Sequence, residues 1–296
     1  MGRLINAEFR KVLTTKLWWG LLIPAVVLAF GWAFGAGLLV KDIAEAVGDD
    51  AVVQKAGYTF QDVSWSVFAL TRAINISTIF PMLFGALGLS TELHRRTITT
   101  SFLTAPNRST MLGAKAITYV VWGVIYGVVI SALAILGTIA GTGGKYLPDG
   151  GGFLLLFVTG VLSSVLWTLL GLGVGALLGS TTGSVVLLVL YAVIAEPIVA
   201  LVLHNRVAGF LPNGSADGLT GSTAGQIIID QLQAHSTTPL AQLVGPDTWN
   251  AFLNGVRIAA GAIGALDWWA SGLIFLGWVL VFFAGGMLVN QKRDIT

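Results

Sequence analysis

Residues 153–178 read FLLLFVTGVLSSVLWTLLGLGVGALL, 26 positions without one charged side chain. A helix needs about 20 apolar residues to cross a hydrocarbon core roughly 30 Å thick, so this run is long enough to span. In lipid the backbone N–H and C=O groups have no water to bond, and a helix satisfies them within the segment. Outward from this run lie five more of the same kind, at 17–40, 66–90, 116–140, 184–203 and 268–289. The expected fold is all-α: a polytopic membrane protein with six transmembrane helices in a single domain over 1–296. Composition agrees. Of the chain, 55% is hydrophobic and only 10% charged, with a mean hydropathy of +0.84, whereas a soluble domain carries about 25% charge.

Lysine and arginine placement sets the expected orientation, because basic loops stay on the cytoplasmic side. Ten basic residues fall at the N-terminus, in the 91–115 loop and in the tail, against five in the remaining loops, which also hold ten of the acids. Both termini are therefore expected in the cytoplasm, with the chain multi-pass in the cell membrane. Residues 179–183 read as a tight turn. The 41–65 loop has room for a short helix. The longest loop, 204–267, is expected outside, with candidate helices at 223–234, capped by Ser222, and 248–265, with Asp247 at its N-cap. We expect the latter to be interfacial or re-entrant and to pack on the sixth span, with a seventh crossing as the alternative.

Several functions are disfavoured. With no cysteine there is no disulfide and no thiolate metal site, and His94, His204 and His235 are scattered. No metal or cofactor site is expected in this chain. A net charge of +2 gives no support for nucleic-acid binding. The one near match to a phosphate-binding loop, Gly143-Gly144-Lys145-Tyr146, has Ile139 where the motif needs its first glycine and Tyr where it needs Ser or Thr. The chain is not expected to be an enzyme.

Two segments carry more information. In residues 1–16, Leu4, Ile5, Phe9, Val12 and Leu13 cluster on one helical face while Arg10 and Lys11 fall off it, the pattern of an amphipathic helix lying on a membrane surface. The 91–115 loop contains Glu92, a basic pair Arg95-Arg96, then Thr97, a short turn, Ala105-Pro106, Arg108 and Lys115. Residues 97–103 have length for about two helical turns before Pro106. On the residues alone, a solvated loop and a partner-binding element both remain open.

The spacing Glu-x-x-Arg-Arg-Thr, then Ala-Pro-x-Arg, then a Lys opening the next helix resembles the permease subunits of bacterial-type type-2 ABC exporters. The stretch Asn6–Lys11 before a Trp-rich first span and the closing Lys292–Thr296 are similar to that family as well. Arg96 stands where the family commonly has glycine. The resemblance implies that the 91–115 loop is a coupling element, with Glu92, Arg95, Arg96, Thr97, Pro106 and Arg108 facing a separate ATPase subunit that holds ATP and Mg. It also implies a second permease copy, the same chain or a close homologue, and outward movement of a drug-like, amphipathic or lipid-linked molecule.

Polar groups inside spans are costly and usually functional. Arg72 and Asn75 in the second run and Glu196 in the fifth are candidates for a substrate path, for an Arg72–Glu196 pair, or for proton carriage. Pro81 is expected to kink the second span. Gly171 and Gly175, and Gly31 and Gly35, have the four-residue spacing that lets helices approach closely in lipid. Packing within the chain and a dimer seam are both open, with Gly31 and Gly35 the seam candidates by resemblance. A standalone proton-coupled transporter and a non-transporting scaffold or immunity factor are the alternative functions.

Overall fold

A computed structural model describes residues 1–48, 63–97, 107–203, 207–234 and 245–292. They form α1 (Gly2–Thr14), α2 (Leu17–Gly48), α3 (Ser66–Ser77), α4 (Ile79–His94), α5 (Arg108–Thr142), α6 (Gly150–Leu178), α7 (Thr181–Leu190), a π-helical turn (Tyr191–Ala195), α8 (Glu196–Val202), α9 (Pro212–Ala234), α10 (Pro246–Ala260) and α11 (Trp268–Lys292). Six stretches are long and apolar enough to cross a membrane: Leu17–Ala46, Ser66–His94, Arg108–Thr142, Gly150–Leu178, Thr181–Val202 and Trp268–Asn290. These are the six expected runs, each with shifted ends.

Local chemistry explains the shifts. Asn107 accepts from the Thr110 amide, so the third span starts at Arg108, eight residues before the apolar run. Asp149 accepts from Gly152 N and opens α6. The 179–183 turn is formed by Gly179 at φ +63 and by Ser180, which caps α7. A left-handed residue just past a helix is a glycine position. The second span breaks at Thr78 between α3 and α4. Pro81 has no N–H to donate to the Ser77 carbonyl, which accounts for an interruption of the hydrogen-bond ladder at this break. Pro197 removes a donor from the fifth span in the same way, next to the π-helical turn.

The centre of the bundle is α4, α5 and α6, with α2 along α5 and α11 along α6. Glycines let these backbones approach. A methyl at Gly171 would overlap the Met82 carbonyl, one at Gly175 the Ala86 carbonyl, and one at Gly85 the Thr168 carbonyl. Gly171 and Gly175 thus face α4 within the chain. The first span packs on α5 through a different stripe, Ala25, Ala29, Ala33 and Gly37, which faces Gly137 and Gly141. Gly31 and Gly35 lie off that stripe, with nothing within contact distance of an added methyl. The outer faces of α2, α7–α8 and α11 expose large aliphatic side chains, among them Val27, Leu39, Leu190, Leu201, Leu273 and Val281. So broad an apolar surface suits lipid rather than water.

The loop between the fifth and sixth spans departs from expectation. α9 begins at Pro212, not at 223, and Ser222 lies inside it, donating to the Leu266 carbonyl instead of capping. α10 begins at Pro246 with Gly245 at the N-cap, so Asp247 is in its first turn. It ends at Gly261, φ +84, well before 265. It packs chiefly on α9 and α3 rather than on the sixth span, and it is not among the helices long enough to cross. A short helix in 41–65 and helical turns over 97–103 fall mainly on residues outside those described.

The glycine contacts give a test by thermal unfolding in detergent. Gly171→Leu is expected to cost about 1–3 kcal/mol or more through overpacking, whereas Gly31→Ala is expected to stay within about 0.5 kcal/mol.

Candidate functional site

At the end of the bundle that carries α1 and the close of α11, a charged cluster is buried among apolar side chains. Lys115 is 1% exposed, seven residues inside α5. Its ammonium donates to Glu8 Oε2 at 2.5 Å and to Glu92 Oε1 at 2.6 Å. Lys11 reaches the same Glu92 oxygen at 2.6 Å. Two cations and two carboxylates therefore meet from three helices: α1, α4 and α5. A buried ion needs partners of opposite charge, and here the partners hold the N-terminal helix onto the end of the second span. Aromatic packing backs the cluster. Phe9 stacks on Trp122 with centroids 5.4 Å apart, and Trp122 also meets Trp18 and Phe84.

Just beyond Glu92, the second span ends in a hydrogen-bonded turn. Arg96 N donates to the Leu93 carbonyl at 3.2 Å and Thr97 N to the Glu92 carbonyl at 3.0 Å. That pair of bonds defines a helix end whose penultimate residue is left-handed, usually glycine. Arg96 takes that place at φ +57. Arg95 and Arg96 are both exposed. Arg108, where the chain re-enters α5, donates to the Asn290 carbonyl at 2.9 Å and so ties the third span to the sixth. Asn290 in turn donates to the Ala176 carbonyl on α6. Pro106 lies outside the described residues.

The intramembrane candidates gather at the opposite end, but not as a pair. Glu196, 3% exposed, accepts from the backbone amides of Asn213 at 2.9 Å and Gly214 at 2.6 Å. It caps α9 from 17 residues away in sequence, with the Tyr191 hydroxyl as a further partner. Arg72 instead donates to the Ile258 and Ala259 carbonyls at 2.5 and 3.1 Å, closing the C-terminus of α10. The expected Arg72–Glu196 pair is absent because each ion meets a helix end of opposite polarity, and this removes the geometric basis for a proton-carrying pair. Asn75 Oδ1 accepts from Thr220 at 2.6 Å, while its buried Nδ2 has no partner.

Arg72, Asn75, Asn213 and Asp217 line a cavity of about 270 Å³, together with Trp167 and Val193 among others. Burial pushes the Asp217 carboxyl up to about 7, against the pull of Arg72 and helped by nearby Glu196.

Neither Glu8 nor Asp217 is singled out by the sequence reading. Glu8 had a signal: it sits between Leu4 and Val12 on the very face that docks, an acid in an apolar stripe. Leu13, expected on the apolar face, is 48% exposed. In the sequence Lys115 stands as a flank of the third span, because the apolar run begins after it. Asp217 reads only as one acid in a long loop.

Lys115→Met leaves the buried Glu8 and Glu92 with only the half-exposed Lys11 as a cation, a change expected to cost up to about 3–5 kcal/mol. Because the chain lacks cysteine, a Val12→Cys variant reports docking of α1 cleanly. Maleimide labelling at that site is expected to accelerate when Lys115→Met is added, and to slow again in the neutral combination Glu8→Gln, Lys115→Met, Glu92→Gln. Unchanged labelling in Lys115→Met would mean that the cluster does not hold α1. No family model matches the chain, and no curated protein sequence matches it.

Proposed function

We propose that this chain is the membrane-spanning permease subunit of an ATP-driven exporter of the type-2 ABC kind, working with a separate ATPase subunit and a second permease copy. Both termini and the 91–115 loop face the cytoplasm in this reading. The exported molecule is amphipathic, and ATP and Mg belong to the partner.

The observation that carries the reading is the way the loop is rooted. The loop leaves the membrane domain at Glu92 and returns at Arg108. Glu92 is clamped to α1 and α5 through Lys115 and Lys11, and Arg108 is tied to the last span through Asn290. A displacement of the loop by a partner would be passed to several spans rather than absorbed in a flexible connection. A membrane domain with two discrete packings responds to ligand binding elsewhere in this way. The turn at Arg96 lends further support. Its left-handed backbone is the conformation glycine favours, at the position where the family resembled commonly carries glycine.

The first test is purification. With its candidate partners co-expressed, the chain is expected to bring down a soluble ATPase whose hydrolysis depends on the assembled complex; a chain stably alone and driven by a proton gradient would overturn the reading. Arg95→Glu with Arg96→Glu is expected to uncouple hydrolysis from export while membrane insertion is unchanged, and normal coupled export in that variant would refute the coupling role. Arg96→Gly, which relieves a left-handed strain of about 1–2 kcal/mol, is expected to leave the helix end intact and thermal stability equal or higher. Topology is checked separately: a single cysteine placed at Arg3 is expected to resist membrane-impermeant maleimide in intact cells.

A further inference from the structure

The cavity lined by Arg72, Asn75 and Asp217 contains an imbalance. Two ionic side chains line it, Arg72 and Asp217, and Glu196 stands close to Asp217 behind the wall. Two of the three are already neutralised by helix ends, Glu196 by the amides opening α9 and Arg72 by the carbonyls closing α10. Asp217 has neither. Among the described residues its carboxylate has no hydrogen bond and no ion pair. It is faced from α3 by Arg72 and Asn75, from α8 by Glu196, from α6 by Trp167 and from its own helix by Asn213. Two carboxylates against one guanidinium leave the site one cation short.

The surrounding backbone is irregular on two sides. The second span breaks at Thr78, and both sides of the break line the cavity, Asn75 and Ile76 before it and Ile79 and Met82 after it. The fifth span contributes Ala192 and Val193 from its π-helical turn. Such turns inside helices concentrate at functional sites. Ile76 and Val193 are also exposed on the outer surface of the bundle, Val193 by 58%, so the cavity's apolar edge reaches the lipid-facing surface between the second and fifth spans. At about 270 Å³ the space fits the polar end of a molecule and not a whole drug-sized one.

We propose that this cavity binds the ammonium end of an amphipathic amine, with Asp217 as counter-ion and the apolar part of the molecule leaving past Ile76 and Val193 toward lipid. An ammonium supplies the donors and the charge that Asp217 lacks. An acceptor atom beside the nitrogen would meet the unpartnered Asn75 amide. Binding of an amine stands on the cavity alone; that the amine is the exported molecule rests on the exporter reading.

The test uses the full chain, without any ATPase, in nanodiscs of zwitterionic lipid, with radiolabelled octylamine as the probe. An alkyl ammonium titrates near 10 and stays charged at both pH 8 and pH 5.5, so any pH effect comes from the protein. With Asp217 titrating at about 7, its ionised fraction falls about 30-fold between these pH values. Saturable octylamine binding is therefore expected at pH 8 and is weakened by roughly ten- to thirtyfold at pH 5.5. Asp217→Asn should remove both the tight binding and its pH dependence, and Asp217→Glu should retain them. Val193→Trp, which fills the mouth without touching charge, should weaken binding at pH 8. Octanol and octyl phosphate should not compete. Equal binding by wild type and Asp217→Asn, or displacement by octyl phosphate, would overturn the proposal. Neither result bears on whether an ATPase co-purifies, and a chain that recruits no ATPase would still show or fail to show this binding.

Discussion

A lysine ammonium shut away from water demands anionic partners, and Lys115 finds both of its partners on segments far from it in sequence. That demand fixes more than one ion pair. It places α1 against α5, sets where the second span must end so that Glu92 arrives, and brings the 91–115 loop out of the membrane domain at a defined point. Replacing the whole cluster with apolar side chains would not obviously weaken the bundle, since buried pairs often gain little net stability. Its contribution is positional: only one docking of α1 satisfies all four charges. The aromatic stack of Phe9, Trp122 and Trp18 supplies attraction, and the ions restrict it to one register.

The same logic governs the opposite end with different partners. There the charges are satisfied by helix termini. Glu196 meets the exposed amides that begin α9, and Arg72 meets the carbonyls that finish α10. Each helix end carries partial charge and unsatisfied backbone groups, so an ion placed there removes two costs at once. The two helices between the fifth and sixth spans are thereby fastened to the spans by charge, and α9 supplies Asn213 and Asp217 to the cavity wall.

What the sequence discloses follows from the range of each interaction. The spans were legible because lipid imposes a length and an apolar composition on every crossing. The break near Pro81 was legible because a missing N–H acts within one turn. The start of α9 lies eleven residues ahead of the expected one: its cap comes from Glu196 in another element, and Pro212 at the first helical position is the one local start signal there. Small-residue spacing was only half informative. Gly171–Gly175, Gly31–Gly35 and Ala25–Ala29–Ala33 all repeat every four residues, yet the first and last contact neighbouring spans and the middle one faces outward. Spacing places residues on one face of a helix but does not say which face meets a neighbour. The acid at position 8 was readable in principle, because a charge centred in an apolar stripe must have a buried partner.

The second span joins the two ends. α4 carries Glu92 in the charge cluster, and α3 carries Arg72 and Asn75 at the cavity, with the discontinuity at Thr78 between them. α4 is locked onto α6 by close backbone approach at Gly85, Gly171 and Gly175, so α4 and α6 shift together or not at all. α3 packs on α2 and α5 and is in addition tied to α9 and α10 by the polar bonds of Asn75 and Arg72. On the exporter reading, a force applied at Glu92 would reach the closely packed α4 and α6 first, and the break at Thr78, where Pro81 interrupts the hydrogen-bond ladder, is where the second span can bend. Residues on both sides of the break line the cavity. On the exporter reading, this makes the shape of the cavity the quantity that a cytoplasmic push alters most directly.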